Sequence, residues 1–264
     1  MNLPHKIFGI NTAEAYQRYL EKAQKPAVIR EVNAKETGIE DLTDFWRVHG
    51  VNYRDRIHTV DLQKTLLDDR NTRTQDEWAE YSRQAKNQGG FYVGDFPLYH
   101  SLFTALFKNK NGKGKGIAEQ TRSFFQNEFF DKWLTTLTRI TYNAPGGDRI
   151  EHNYGMPDKY TIDRQIIGPD EWVKDAINGG VYEAILGTED TTEIQEVYKW
   201  ITGEDAYLWR LNSKPEKDEV RVAGFDADSD RAYLSCRDPQ YSYSALGVRE
   251  GISAAGASLK TASL

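Results

Sequence analysis

The apolar pattern of this chain changes period once, near residue 133, and no other feature constrains its fold as much. Before that point the apolar residues recur at helical spacing. Thr12 is placed to cap a helix over residues 13–24, with Tyr16, Tyr19 and Leu20 on one face. Residues 40–48 and 62–68 read as short helices, and 27–32 as a short strand. Thr74 opens a longer helix to about Lys86, which Asn87-Gln88-Gly89-Gly90 stops. Residues 96–107 are apolar on several sides and predict a buried helix. Residues 117–133 predict another, with Phe124, Phe125, Phe129 and Phe130 as core anchors.

After residue 133 the pattern is that of strands. Residues 134–142 are rich in Thr, Leu, Ile and Tyr. Pro145-Gly146-Gly147 marks a turn, and 149–154 can return as the hairpin partner. Residues 160–167 predict a further strand. A helix over 192–201 follows, begun by Thr191 and ended by Gly203. Short strands are then expected at 206–211, 220–225, 231–236 and 244–249. Helices first and strands after make the fold class α+β, with a helix-rich N-terminal half. Residues 1–115 form that helical region, either integral to the second part or a separate module. Residues 116–250 form the second domain, and 251–264, small residues without periodicity, form a flexible tail.

Composition narrows the function. With 264 residues, 39% of them hydrophobic, the chain can bury a sizeable core. Its net charge of −6 argues against nucleic acid as a partner, because phosphate contacts need a basic surface. The one basic run, KNKNGKGKG at 108–116, lacks the Ser or Thr of a phosphate-binding loop and reads as a solvated loop. Cys236 is the single cysteine, so neither an intramolecular disulfide nor a cysteine zinc site can form. No signal-peptide pattern and no apolar run of ~20 residues is present, so the expectation is a soluble protein, cytoplasmic or carried on a virus particle, with no membrane insertion.

The stretch most unlike the rest lies near the end. From Val222 to Arg249 there is no Lys and no Glu, and fourteen of the twenty residues from Asp226 to Ala245 are Asp, Ser, Tyr, Arg or Cys. Strand alternation puts Ala232, Leu234 and Cys236 on one face and Tyr233, Ser235 and Arg237 on the other. The first face suits a packed sheet. The second is the mixture that antibody-like binding surfaces use, and Tyr241, Ser242 and Tyr243 extend it. A polar turn region would share part of this composition. The genetic code separates the two readings further. Changing the adenines of an Asn codon (AAC or AAT) to any base never yields Lys, Glu, Gln, Trp or Met. Every residue from Asp226 to Ala245 except Gln240 lies within the accessible set.

Three motifs in order, Trp209-Arg210, Arg221-Val222-Ala223 and Gly247-Val248-Arg249, flank this stretch. With YLWRLNSKP at 207–215 and WLTTLTRITYNAPGGDRIEHNYG at 133–155, they resemble the C-type-lectin-like fold shared by formylglycine-generating enzymes and the variable proteins of diversity-generating retroelements. The resemblance is nearest to the variable proteins of archaeal viruses and small archaea, and it covers roughly residues 117–249. It implies short antiparallel strands with flanking helices. It also implies a surface rewritten by adenine-directed mutagenesis, so that binding specificity changes on a constant scaffold. Carried onto this chain, the diversified ligand-binding positions are Asp226, Asp228, Ser229, Asp230, Tyr233, Ser235, Arg237, Asp238, Tyr241, Ser242 and Tyr243, within a variable region of about 222–249. Gln240 is set aside as scaffold. The expected ligand is a macromolecule, in the first instance a protein, and no cofactor, metal or catalytic residue is expected.

Other chemistries fit less well. The oxidase chemistry of the formylglycine-generating relatives resembles a copper site built on two thiols, and this chain has one. Asp226, Asp228 and Asp230 have the spacing of a calcium loop, but its sixth and twelfth positions hold Arg231 and Arg237 rather than Gly and Glu. His152, Asn153 and Tyr154 with Asp148 could suggest a hydrolase, although a hairpin with a satisfied histidine explains them better. Trp133, Trp172, Trp200 and Trp209 read as core residues. Two further alternatives are a structural or attachment component of a virus particle and a relative of the enzymes that has lost its chemistry.

Overall fold

Helix starts follow the capping residues closely. The Thr74 hydroxyl accepts from the Glu77 N–H, and the Glu77 carboxylate accepts from the Thr74 N–H, so two donors that a helix start leaves over are satisfied together. This opens α1 (Gln75–Asn87). Asp95 caps α2 (Phe96–Lys108) by accepting from the Leu98 N–H at 2.9 Å, with Pro97 in the first turn. Ten residues of α2 between Phe96 and Leu106 are buried, which is why it shows no polar stripe in sequence. α3 (Lys115–Asp131) buries Phe125 and Phe129, whereas Phe130 faces solvent. α4 (Gly180–Leu186) was not anticipated. α5 (Thr191–Thr202) is capped by Asp190 and ends at Gly203 in the left-handed conformation.

The computed structural model describes residues 38–143, 146–209 and 219–251, together with β1 (Lys6–Ile7) and β2 (Ile10–Asn11). The chain divides into two units, Met1–Glu36 and Thr37–Leu264. Within the first, β1 and β2 pair antiparallel. The helix expected at 13–24, the strand at 27–32 and the tail beyond 251 lie outside the described residues, as do Arg210 and the segment to 218.

In the second unit, residues 40–41, 45–48 and 62–66 are in strands, not helices. β3 (Gly38–Asp41), β4 (Phe45–Tyr53) and β5 (Arg56–Leu66) form consecutive antiparallel pairs. Two features hide this in the sequence. A bulge between His49 and Val51 breaks the two-residue alternation of β4. The two-residue hairpin turn then uses Arg54 and Asp55 at positive φ, where Asn-Gly would have advertised it. Among the described residues of this unit, three strands therefore precede the three α-helices of the N-terminal half.

The remaining strands are β6 (Leu134–Tyr142), β7 (Asp148–His152), β8 (Tyr160–Gln165), β9 (Glu171–Trp172), β10 (Ala206–Trp209), β11 (Glu219–Ala227), β12 (Ala232–Arg237) and β13 (Leu246–Glu250). One sheet has the order β13-β5-β4-β3 and a second β8-β7-β6-β11-β12-β10-β9. Residues 38–66 thus share a sheet with the C-terminal strand. The fold class is α+β. In the larger sheet only β10 and β12 run parallel. The inward side of β11 and β12 carries Ala223, Phe225, Ala232, Leu234 and Cys236, all buried. Phe225 packs against Phe96, Tyr99, Phe103 and Phe129, which fixes which side of these strands must face out. Among the described residues no helix is long and apolar enough to cross a membrane.

Candidate ligand-binding surface

Strand register assembles the site. β11 and β12 set Asp226 opposite Tyr233, Gly224 opposite Ser235 and Val222 opposite Arg237. On the other edge of β12, β10 sets Tyr207 beside Tyr233 and Trp209 beside Ser235. β9 adds Trp172 opposite Tyr207. Side chains at matched positions share a face, so the β11–β12 hairpin and two strands earlier in the chain, β9 and β10, build one outward surface.

That surface holds an open hollow of about 450 Å³, within the range of ligand sites. Asp226, Asp228, Tyr233 and Arg237, all expected at the site, line it. So do Asp170, Tyr207, Trp209 and Arg231, which were not expected there. The rings of Trp172 and Tyr207 lie 5.0 Å apart, and Tyr233 is 6.2 Å from both Tyr207 and Trp209. The Arg231 guanidinium lies over Trp172, Tyr207 and Tyr233 at 5.2, 4.6 and 5.9 Å. Trp172 and Trp209 are half-buried surface residues rather than the core residues the sequence implied. The alternation Tyr207-Leu208-Trp209 could have shown the two aromatics to share a face. That this face adjoins Tyr233 depends on a parallel pairing that no local pattern reveals.

The eleven expected positions play three different roles. Asp228 organises the β11–β12 turn: its carboxylate accepts from the Asp230 and Arg231 N–H groups at 2.8 and 2.9 Å and from the Tyr233 hydroxyl at 2.9 Å. Burial pulls its pKa up, but these hydrogen bonds outweigh that and hold it below the ordinary carboxylate value. Ser229 and Asp230 are exposed at the turn. Asp226 is half-buried and pairs with Arg237 at 3.1 Å; burial raises its carboxyl against the pull of Arg237 and Ser235.

Ser235 departs from the expected display role. It is only 1% exposed, and its hydroxyl accepts from Trp133 Nε1 at 2.7 Å. The Trp133 ring lies across Gly224, where a Cβ would come within 2.4 Å of it, so only glycine fits beneath. The ring therefore covers the middle of the strand pair. Arg237 lies over it at 5.5 Å and Tyr243 packs against it at 4.3 Å, which carries the surface on into the next loop.

In that loop Asp238 accepts from the Gln240 N–H at 2.9 Å. Tyr241 is 67% exposed, Ser242 is exposed and Tyr243 half-buried. The loop backbone is tied from outside. Tyr243 exchanges main-chain hydrogen bonds with Arg73, its carbonyl also accepts from Trp78 Nε1 at 2.8 Å, and the Ser244 carbonyl accepts from the Thr135 N–H. Gln240, set aside as scaffold, is exposed as well.

Residues of the competing constellations make structural contacts. His152 is buried, with Nδ1 2.9 Å from the Thr138 hydroxyl and Nε2 2.9 Å from the Ala184 carbonyl; burial lowers its pKa to about 4. Asp148 accepts from the Ile167 N–H. Asp226 and Asp228 are engaged as described, and among the described residues no three His, Cys, Asp or Glu side chains come together as a metal site requires. No protein-family model matches the chain, and no curated protein or solved structure matches it significantly.

Proposed function

We propose that this chain is a ligand-binding protein, not an enzyme. It presents the outward face of β10, β11 and β12, with the 238–243 loop, to a macromolecular ligand. The observation that carries the reading is convergence. Asp226, Asp228, Tyr233 and Arg237, which lie in the stretch marked by composition and codon accessibility and which the resemblance implies as ligand-binding, line one hollow. The face continues through Trp133 to Tyr243. Aromatic rings with two arginines are the residues that dominate measured binding hot spots. The proposal extends to the retroelement-diversified, C-type-lectin-like type. Its support is the order of the motifs, of which Trp209, Arg221–Ala223 and Gly247–Arg249 fall on β10, β11 and β13 around the unusual stretch.

Sequencing this gene across a natural population tests the reading. Substitutions should cluster at Asn-type codons between positions 226 and 243, and at the exposed positions 229, 230, 241 and 242 most of all. Variation spread evenly along the chain would overturn it.

A further inference from the structure

Arg231 stands apart from every other charged group lining the hollow. Asp226 is paired with Arg237. Asp228 is committed to two N–H groups and a hydroxyl. Asp170 also has a partner. The Arg231 guanidinium, by contrast, forms no ion pair or side-chain hydrogen bond among the described residues. It lies over the three rings of Trp172, Tyr207 and Tyr233, and its charge helps to hold the Asp228 carboxylate ionised without an ion pair between them. Ring contacts of this kind hold a guanidinium in place by charge and dispersion without taking its N–H groups into strong hydrogen bonds. The residue is half-buried, so those donors sit partly shielded from water in a site open enough to admit a ligand.

We propose that Arg231, which lines this hollow, is a fixed anchor for a carboxylate, the Asp or Glu side chain of a protein partner. The inference rests on reading this face as a binding surface. A carboxylate matches the planar fork with two parallel hydrogen bonds. A phosphate fits worse, because a dianion would meet three aspartates with one unpaired arginine to hold it. A protein is favoured over a small acid because the aromatic surface continues beyond the hollow to Trp133 and Tyr243. Arg231 and two of its three rings, Trp172 and Tyr207, are not among the eleven positions expected to vary, whereas Tyr233 is. The anchor would therefore be shared by variants whose rim residues differ, so that diversity would tune the surroundings of one constant contact.

The test is selection of a random twelve-residue peptide library on the full-length protein, followed by affinity measurement on the selected peptides. Binders should carry an Asp or Glu whose change to Asn or Gln weakens binding at least tenfold. Arg231→Gln should cost the same, and the two changes together should cost little more than either alone. Arg231→Lys, which keeps the charge and loses the fork, should fall between, and melting temperature verifies that both variants fold. A selection that yields no carboxylate-bearing binder, or binders indifferent to Arg231→Gln, overturns the anchor. If such binders still lose affinity on Tyr241→Ala, the broader surface reading survives; if they do not, it falls too.

Discussion

The two halves of the candidate surface are held in place in opposite ways. The turn between β11 and β12 is held by its own side chains: Asp228 secures two backbone N–H groups and Tyr233, and Asp226 secures Arg237. The 238–244 loop is held mainly by main-chain contacts to Arg73, Trp78 and Thr135, none of which belongs to the unusual stretch. A segment whose backbone is fixed from outside can change its side chains at little structural cost. A segment fixed by its own side chains cannot change them all freely. The expected variable positions are thus not equivalent: Tyr241 and Ser242 are free to vary, whereas Asp228 and Ser235 carry the fold as well.

Trp133 joins the two halves, and removing it should have the largest effect. Its ring covers Gly224, donates to Ser235 and packs on Tyr243. Trp133→Ala should cost about 3–5 kcal/mol of stability, the usual range for deleting a buried aromatic ring. Denaturant unfolding measures it. A loss below about 1 kcal/mol would mean that the halves are independent and that Trp133 is a lid rather than a clamp.

Much of the fold could be read from local pattern. The helices after Thr74 and Asp95 announce themselves through capping and apolar runs, and β6 through its β-branched residues. The alternation of β12 correctly put Ala232, Leu234 and Cys236 inside. The failures share one cause, which is that sequence pattern is local and pairing is not. The first part of β4 and the last part of β5 read as helices, because a bulge and a turn without Asn or Gly disguise the hairpin they belong to. Ser235 was assigned to the display face correctly by alternation, but the ring that covers it comes from 102 residues away. Arg231, Tyr207 and Trp172 were missed for the same reason: three strands bring them together, and each looks unremarkable on its own.

Asp228 sharpens the comparison at an intermediate magnitude. Asp228→Ala removes three hydrogen bonds from a solvent-facing turn and should cost about 1–2 kcal/mol. The pH dependence has a definite sign. The folded-state pKa is lowered, so the stabilisation is present above the ordinary carboxylate pKa and is lost as pH falls through the lowered value. Wild type and Asp228→Ala should therefore differ in stability at neutral pH and converge in acid. A gap that stays constant down to low pH would show that the turn is held by something other than the ionised carboxylate.

The smallest structural effect, and the clearest functional one, belongs to Tyr241. Its side chain is 67% exposed. The loop beneath it keeps its main-chain bonds to Arg73 and Trp78 whatever residue stands at 241. Tyr241→Ala should leave stability within about 0.5 kcal/mol of wild type, as exposed substitutions do, while weakening any ligand that the surface takes. Tyr233→Ala makes the informative partner. Its ring contacts Arg231, Tyr207 and Trp209 and its hydroxyl serves Asp228, so it should lose both binding and measurable stability. Thermal melts of the two variants side by side separate a residue that only displays from one that also supports. Equal falls in melting temperature would erase the difference between the two halves and show that the loop, like the turn, depends on the side chains it presents.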